Sequence, residues 1–537
     1  MQRNKSITNR AGQTCLARDA QGLRLGLGVA IVLMALVAFA TPQRTTFAQT
    51  TAWSSPVRLG PESLSAWFPD VTVDSSGMVH VVFAASGAEG GDQYFDMVKY
   101  LSLRDGQVVN AVVDVQATVA NVSASYAARP RITVGREGNL HMTWRDIGGI
   151  YYTRAPLDTA FMPAHWRPNQ HMNEGYFSQV LQDKQGRLHL FLTDNVVSAE
   201  CKNCFHLYYY QSNDDGASWS PQKDISVFST GAAKPSVVID ANENIHVAWE
   251  MGRGGDLGQL SRPTKIAYTA SYDNGQNWTT PITFVPGDAR TEARNPALAI
   301  DGKGNLLLTW MGLTDDYFYY QVSADEGRAW SAPQRISGAY NTLAILNSVL
   351  DSQAMDTDSA GNVHLVAVGR TALEQRTLNV LHFQWNGAIW SQPDVIATID
   401  TPTTSDAPQW PRIAVGSGNQ LHVVWYLRRE ALKDTEDPPP YHIYYSHATA
   451  NAPAIAAQPV PTLAPTKTPA PLATLVVAPT LAPGRTLSEM QRDKPGAEGL
   501  QEGLRTETDQ YLRLGLSLLP ALALMGAVLL IARARRR

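Results

Sequence analysis

The feature that most limits what this chain can fold into is one spelling that recurs seven times. The unit reads Pro-x-Ile/Val/Leu-x-Val/Ile-Asp, a Gly-Asn turn, then Leu/Val-His-x-x-Trp. It occurs at Pro69–Phe83, Pro130–Trp144, Gln179–Leu192, Pro235–Trp249, Pro296–Trp310, Gln353–Ala367 and Pro411–Trp425. The aligned central residues are His80, His141, His189, His246, Leu307, His364 and His422, separated by 61, 48, 57, 61, 57 and 58 residues. Each unit holds short alternating apolar runs bounded by Gly, Asn and Asp, which are strand and hairpin signals. Strand alternation at such a period gives one four-stranded blade per repeat, so the spelling predicts an all-β propeller of seven blades. A six-bladed ring is the alternative.

In the fifth copy the expected strands are Ala297–Ile300, Leu306–Trp310, Tyr317–Val322 and Ala332–Ile336. The seventh copy runs into a Pro-rich tract before a fourth strand appears. Trp53-Ser-Ser-Pro-Val-Arg-Leu59 carries the fourth-strand spelling at the other end of the repeats. We therefore expect this segment to join the last blade and close the ring, hiding two sheet edges.

The flanks read differently. Residues 1–48 form a basic lead, an apolar run from Leu25 to Ala40 and small-residue cleavage sites, as in a secretory signal peptide or an uncleaved signal anchor. Residues 49–450 hold the propeller. Residues 451–510 are a Pro/Ala/Thr-rich stalk and juxtamembrane linker. Within 511–537, the apolar residues from Leu514 to Ala532 suffice for a transmembrane helix, and the terminal arginines then stay cytoplasmic. The expected topology is single-pass in the cell membrane, with the propeller extracytoplasmic. A net charge of −4 offers no basic surplus for nucleic acid.

Three turns share Ser-x-Asp-x-Gly-x-x-Trp: Ser212–Trp219, Ser271–Trp278 and Ser323–Trp330. The Asp can accept hydrogen bonds from turn amides, the Gly can take a positive φ, and the Trp can pack over the turn. This pattern resembles the Asp box, the bacterial neuraminidase repeat of the sialidase-like β-propellers. The resemblance implies structural roles for Asp214, Gly216, Trp219, Asp273, Gly275, Trp278, Asp325, Gly327 and Trp330, on the face opposite the active site. Sialidases have six blades, so seven units are a departure.

The six aligned histidines repeat with the architecture, which assigns them to the sheet rather than to a metal. Asn213-Asp-Asp-Gly216 lacks the ligand series of a calcium loop. Cys201 and Cys204 form a lone Cys-x-x-Cys without a second ligand pair, read as a local disulfide. No cofactor or metal is expected.

Strand alternation places the loops between second and third strands, and those entering each first strand, at the top mouth of the channel. They select Arg145, Asp146, Glu250, 252–262, Asp315, Asp316, 370–376 and 426–430, with Arg129, Arg131, Lys234, Arg294 and Arg412 on the entry side. The sialidase resemblance implies three carboxylate-binding arginines, one in Arg-x-Pro, a Tyr–Glu nucleophile and an acid/base Asp. Arg294-Asn-Pro296 fits Arg-x-Pro but lies in the fifth repeat; the first has Trp67-Phe-Pro69. The candidate ligand residues are Arg294, Arg129, Arg145, Asp146, Glu250, Arg412 and Tyr426. The favoured reading is a membrane-anchored module that binds a glycan or cell-surface protein through its top face. An exo-acting sialidase-like glycoside hydrolase is the alternative, and a structural role in the envelope the third.

Overall fold

The computed structural model describes residues 51–460, except 62–63, 89–93, 111, 120–127, 147, 197–203, 228–230, 253–262, 285–291, 313–314, 342–352, 376, 400–405 and 430–440. The expected signal segment and transmembrane helix lie outside the described residues, as do Cys201 and the side chain of Cys204. No described helix is long and apolar enough to cross a membrane.

The described strands form seven antiparallel sheets in sequence order, the blades of a seven-bladed propeller. Their inner strands are Ser65–Val73, Ala128–Val134, Ser178–Gln182, Ala232–Ile239, Ala293–Ile300, Gln353–Thr357 and Asp406–Gly416. The second strands are buried on both faces, because each blade packs between two others. Leu306–Gly312, for example, reads Leu-Leu-Leu-Thr-Trp-Met-Gly and is buried throughout. A strand covered on both sides needs no polar alternation, which explains that continuous apolar run.

The second and third strands of the fifth blade, Leu306–Gly312 and Phe318–Ser323, lie within two residues of the sequence expectation, and the first and fourth differ more. The inner strand begins at Ala293 rather than 297, because a register shift between Arg294 and Ala297 carries the pairing past Pro296. The fourth strand shrinks to Gln334–Arg335. Pro333 precedes it and has no N–H to donate. The closure is as expected: Val57–Leu59 pairs antiparallel with the last strand, Val57 opposite Tyr445 and Leu59 opposite Ile443. The ring thus ends as a sheet completed by both ends of the propeller.

The bottom face shows why the repeated letters repeat. In the fourth blade His246 Nε2 lies 3.4 Å from Asp240 Oδ2 and Nδ1 lies 2.8 Å from Tyr268 Oη. A carboxylate only accepts, so Nε2 carries the proton and Nδ1 accepts from the tyrosine. Asp74–His80–Tyr100 and Asp183–His189–Tyr209 repeat this chain. The sixth blade replaces the tyrosine by His382, with His364 Nδ1 2.9 Å from His382 Nε2. The second and seventh blades have Gly135 and Gly416 where the others have Asp; His141 Nε2 faces Asp215 Oδ1 of the next blade at 3.3 Å instead, whereas His422 keeps its contact with Tyr445 but its Nε2 is buried without a partner among the described residues.

Each Asp box clamps onto the tyrosine of the preceding blade. In the box at 323–330, Asp325 Oδ1 accepts from Ser323 Oγ (2.8 Å) and Ala329 N (2.8 Å), and Gly327 N donates to Ser323 Oγ (2.9 Å). Gly327 takes φ +85°, and a Cβ there would lie 1.8 Å from Tyr268 Oη. Trp330 stands edge-on to the same tyrosine at 5.1 Å, beyond its own turn. Gly216 and Trp219 meet Tyr152, and Gly275 and Trp278 meet Tyr209, in the same way. The box is thus an inter-blade joint built from one hydroxyl, one missing Cβ and one indole.

Candidate functional site

The top ends of the inner strands share a different device. Phe68, Arg129, Lys234, Asn295 and Trp410 have φ of 51, 55, 48, 52 and 55°. Each precedes a proline and lies within a register shift. Proline suits a bulge because one N–H is not needed there. A positive φ costs a non-glycine residue about 1–2 kcal/mol, and a bulge redirects a side chain out of strand alternation. One strained backbone shape therefore presents five different side chains around the mouth.

On the side of blades seven, one, two and three the mouth is aromatic. Phe68 packs edge-on to Trp410 at 5.2 Å and to Tyr426 at 5.6 Å. The Arg129 guanidinium lies 4.6 Å from the Phe68 ring, 4.2 Å from Tyr176 and 5.2 Å from Phe177. Arg145 lies over Tyr176 as well, at 4.5 Å. Arg129 is 7% exposed, and its side chain makes no ion pair or hydrogen bond among the described residues. A buried cation without a carboxylate is costly. Just below, Asp70 Oδ1 is shared by Arg131 (3.5 Å) and Arg412 (3.8 Å). Burial and the neighbouring Arg131 push the Arg412 pKa well down, with Asp70 opposing them.

On the side of blades four, five and six the mouth is a polar lattice. Glu250 Oε1 accepts from Asn295 N (2.6 Å) and Lys234 Nζ (3.3 Å), and Lys234 also donates to Asn295 Oδ1. Gln353 Nε2 donates to Asn295 O (2.6 Å). Arg294, beside Asn295, is buried, and buried Arg370 pairs with Asp316 at 3.2 Å. These charges are compensated from within, unlike Arg129.

Among the candidates named from sequence, Arg129 and Arg145 meet at Tyr176, and Arg412 stacks on Trp410 of the same wall. Tyr426 joins that wall, and its Oη donates to Gln409 Oε1 (2.7 Å). Asp146 ends the strand Asn139–Asp146 and raises the pKa of Tyr151, behind burial as the main cause. Glu250 is a buried strand residue in the polar lattice, not a loop residue. Phe68, Tyr176, Phe177, Asn295 and Trp410 escaped the sequence reading. The position just before the inner-strand proline marks three of them and also Arg129 and Lys234.

No curated protein matches the chain in sequence. Solved structures with a similar trace include a protein of unknown function from Dyadobacter fermentans (13% identity, TM-score 0.43, 75% of this chain and 99% of that one). An ulvan lyase of a polysaccharide lyase family is similar at 11% identity and TM-score 0.48, over 74% of this chain and 97% of that one. The NanB sialidase of Streptococcus pneumoniae is similar at 10% identity and TM-score 0.41, over 75% and 95%. The model of the BNR repeat-like domain matches residues 165–423. That match falls on the blades that carry the three Asp boxes, so this part of the ring is similar to the BNR repeat-like domain.

Proposed function

We propose that this chain is a membrane-anchored, extracytoplasmic propeller that binds an acidic glycan at its top mouth without turning it over. The observation that carries the reading is Arg129, a buried guanidinium with aromatic rings for neighbours and no carboxylate among the described residues. Rings beside a guanidinium leave its N–H edge for a planar, bidentate oxyanion. Phe68 and Trp410, both buried, pack edge-on to each other and fix the aromatic wall against which that guanidinium is held. The apolar stretch within 511–537 and the Pro-rich tract before it supply the anchor and stalk.

The described contact of Tyr426 favours binding over turnover at this wall. Its hydroxyl donates to an amide, Gln409. A neutral amide oxygen cannot take up the proton, so this pairing does not generate a tyrosinate nucleophile. The test is calorimetry of the full chain with a panel of carboxylated and sulfated oligosaccharides. Binding that Arg129→Met weakens by about 100-fold, on the scale of a lost charge-assisted pair, is the expected result. Hydrolysis of a fluorogenic sialoside that disappears in Arg294→Ala would replace this reading with the hydrolase.

A further inference from the structure

The chain stays on the ring after its last strand. Beyond His442–Thr449, residues 451–460 run extended across the bottom face and touch one turn after another. Ala450 N donates to Asn419 O (2.7 Å), and Asn419 Nδ2 donates to Ala452 O (3.0 Å). Ser359 Oγ, in the sixth-blade turn, donates to Pro453 O. Ile455 N donates to Ser417 O (2.7 Å) in the seventh blade, and Gln458 N to Ser75 O (2.7 Å) in the first. Val460 packs against the cluster of Val82, Tyr100, Ile132 and Leu140 between blades one and two.

The bottom turns are shaped for this passage. Gly418 has φ +76°, and a Cβ there would come within 2.7 Å of Ile455 Cγ1 and 2.8 Å of Ser359 Cβ. Pro453 and Pro459 preset an extended backbone and bring no N–H of their own. The amides of Ile455 and Gln458 then meet carbonyls that the turns leave open.

We propose that Asn451–Val460 is a second closure of the ring, docked in a bottom-face groove that fits an extended Pro-containing segment. The two closures run in opposite senses. Val57–Leu59, from the N-terminal side, completes the seventh blade; 451–460, from the C-terminal side, grips blades one and two. Among the described residues the ring is closed without a continuous chain at the pairing of Val57–Leu59 with His442–Thr449, and the segment bridges that joint from below. The chain also leaves the ring on the bottom, so a tether beyond residue 460 pulls on the face opposite the mouth. This inference rests on the topology and is independent of the glycan reading.

Hydrogen exchange on the full chain tests it. The amides of Ile455 and Gln458 are expected to exchange at least about 10-fold more slowly than in a free peptide of residues 450–461. Gln458→Pro removes one donor; it is expected to speed exchange at Ile455 and at Val57–Leu59 several-fold while leaving Ile245–Gly252 unchanged. Val460→Asp, which removes the apolar contact instead, is expected to do the same. Peptide-like exchange at both amides of the unmodified chain would overturn the proposal. So would variants that leave Val57–Leu59 untouched or accelerate every blade alike.

Discussion

The bottom and the top of this propeller are built by opposite rules. On the bottom the same letters return blade after blade, and each return makes the same contact: His to Tyr hydroxyl, box glycine under that hydroxyl, box tryptophan against its ring. On the top the same backbone returns, a left-handed residue before proline, but the letter changes from Phe68 to Arg129, Lys234, Asn295 and Trp410. Repetition of side chains serves the ring. Repetition of a strained backbone with changing side chains is how a symmetric scaffold makes an asymmetric surface, and strain of this kind gathers at functional sites.

Substitutions on the two faces should therefore have opposite signatures. The largest effect belongs to Gly327→Ala. Its new methyl collides with Tyr268 and needs a left-handed φ, so we expect a loss of about 3 kcal/mol or more in urea unfolding. Tyr268→Phe removes the same hydroxyl and leaves His246 Nδ1 unsatisfied. The two changes share one contact, so the double variant should lose clearly less than the sum of the singles. Strict additivity would break the joint as described.

Acid should find the blade whose bottom histidine faces no carboxylate among the described residues. His422 has no aspartate partner, and burial, with the nearby His447, lowers its pKa to about 4. The unfolded chain, with histidine near pH 6.5, takes up this proton first as the pH falls. His422 therefore costs no stability above about pH 6.5, and it removes up to about 3 kcal/mol as the pH drops to 4. Urea midpoints measured from pH 7 to 4 should fall well before the carboxylate range. Exchange should rise at His442–Thr449 and its partner Val57–Leu59, and also around His382 and His141, whose pKa values burial lowers to about 4 and about 3. A flat profile down to pH 4.5 would contradict this.

The smallest stability change is expected at the top. Arg129→Met keeps the aromatic contacts and removes an uncompensated buried charge. The thermal midpoint should stay level or rise, by the equivalent of about 1 kcal/mol.

The contrast also explains what the sequence could tell. Seven anchors, three boxes and the fourth-strand spelling of Trp53–Leu59 made the architecture legible, since a repeated contact leaves a repeated letter. The departures were legible too, but not their consequences. Leu307 stands where other blades have histidine, and there Asp301 Oδ2 accepts from Trp385 Nε1 (3.2 Å) in the next blade. The mouth was harder to read because its residues do not repeat. Arg129 was found as a charge near a proline, yet nothing in one sequence says that Tyr176 and Phe177, from a blade without that proline, converge on it. Arg294-Asn-Pro296 drew attention to the arginine, whereas the bulge gives the left-handed position to Asn295.

The central claim is that the changing residues of the rim serve a ligand while the repeated ones serve the ring. Its most direct test measures binding and unfolding on the same Arg129→Met sample, using the panel of carboxylated and sulfated oligosaccharides. The account predicts binding lost with the thermal midpoint unchanged or raised. Binding retained with a lowered midpoint would contradict it and return Arg129 to the scaffold.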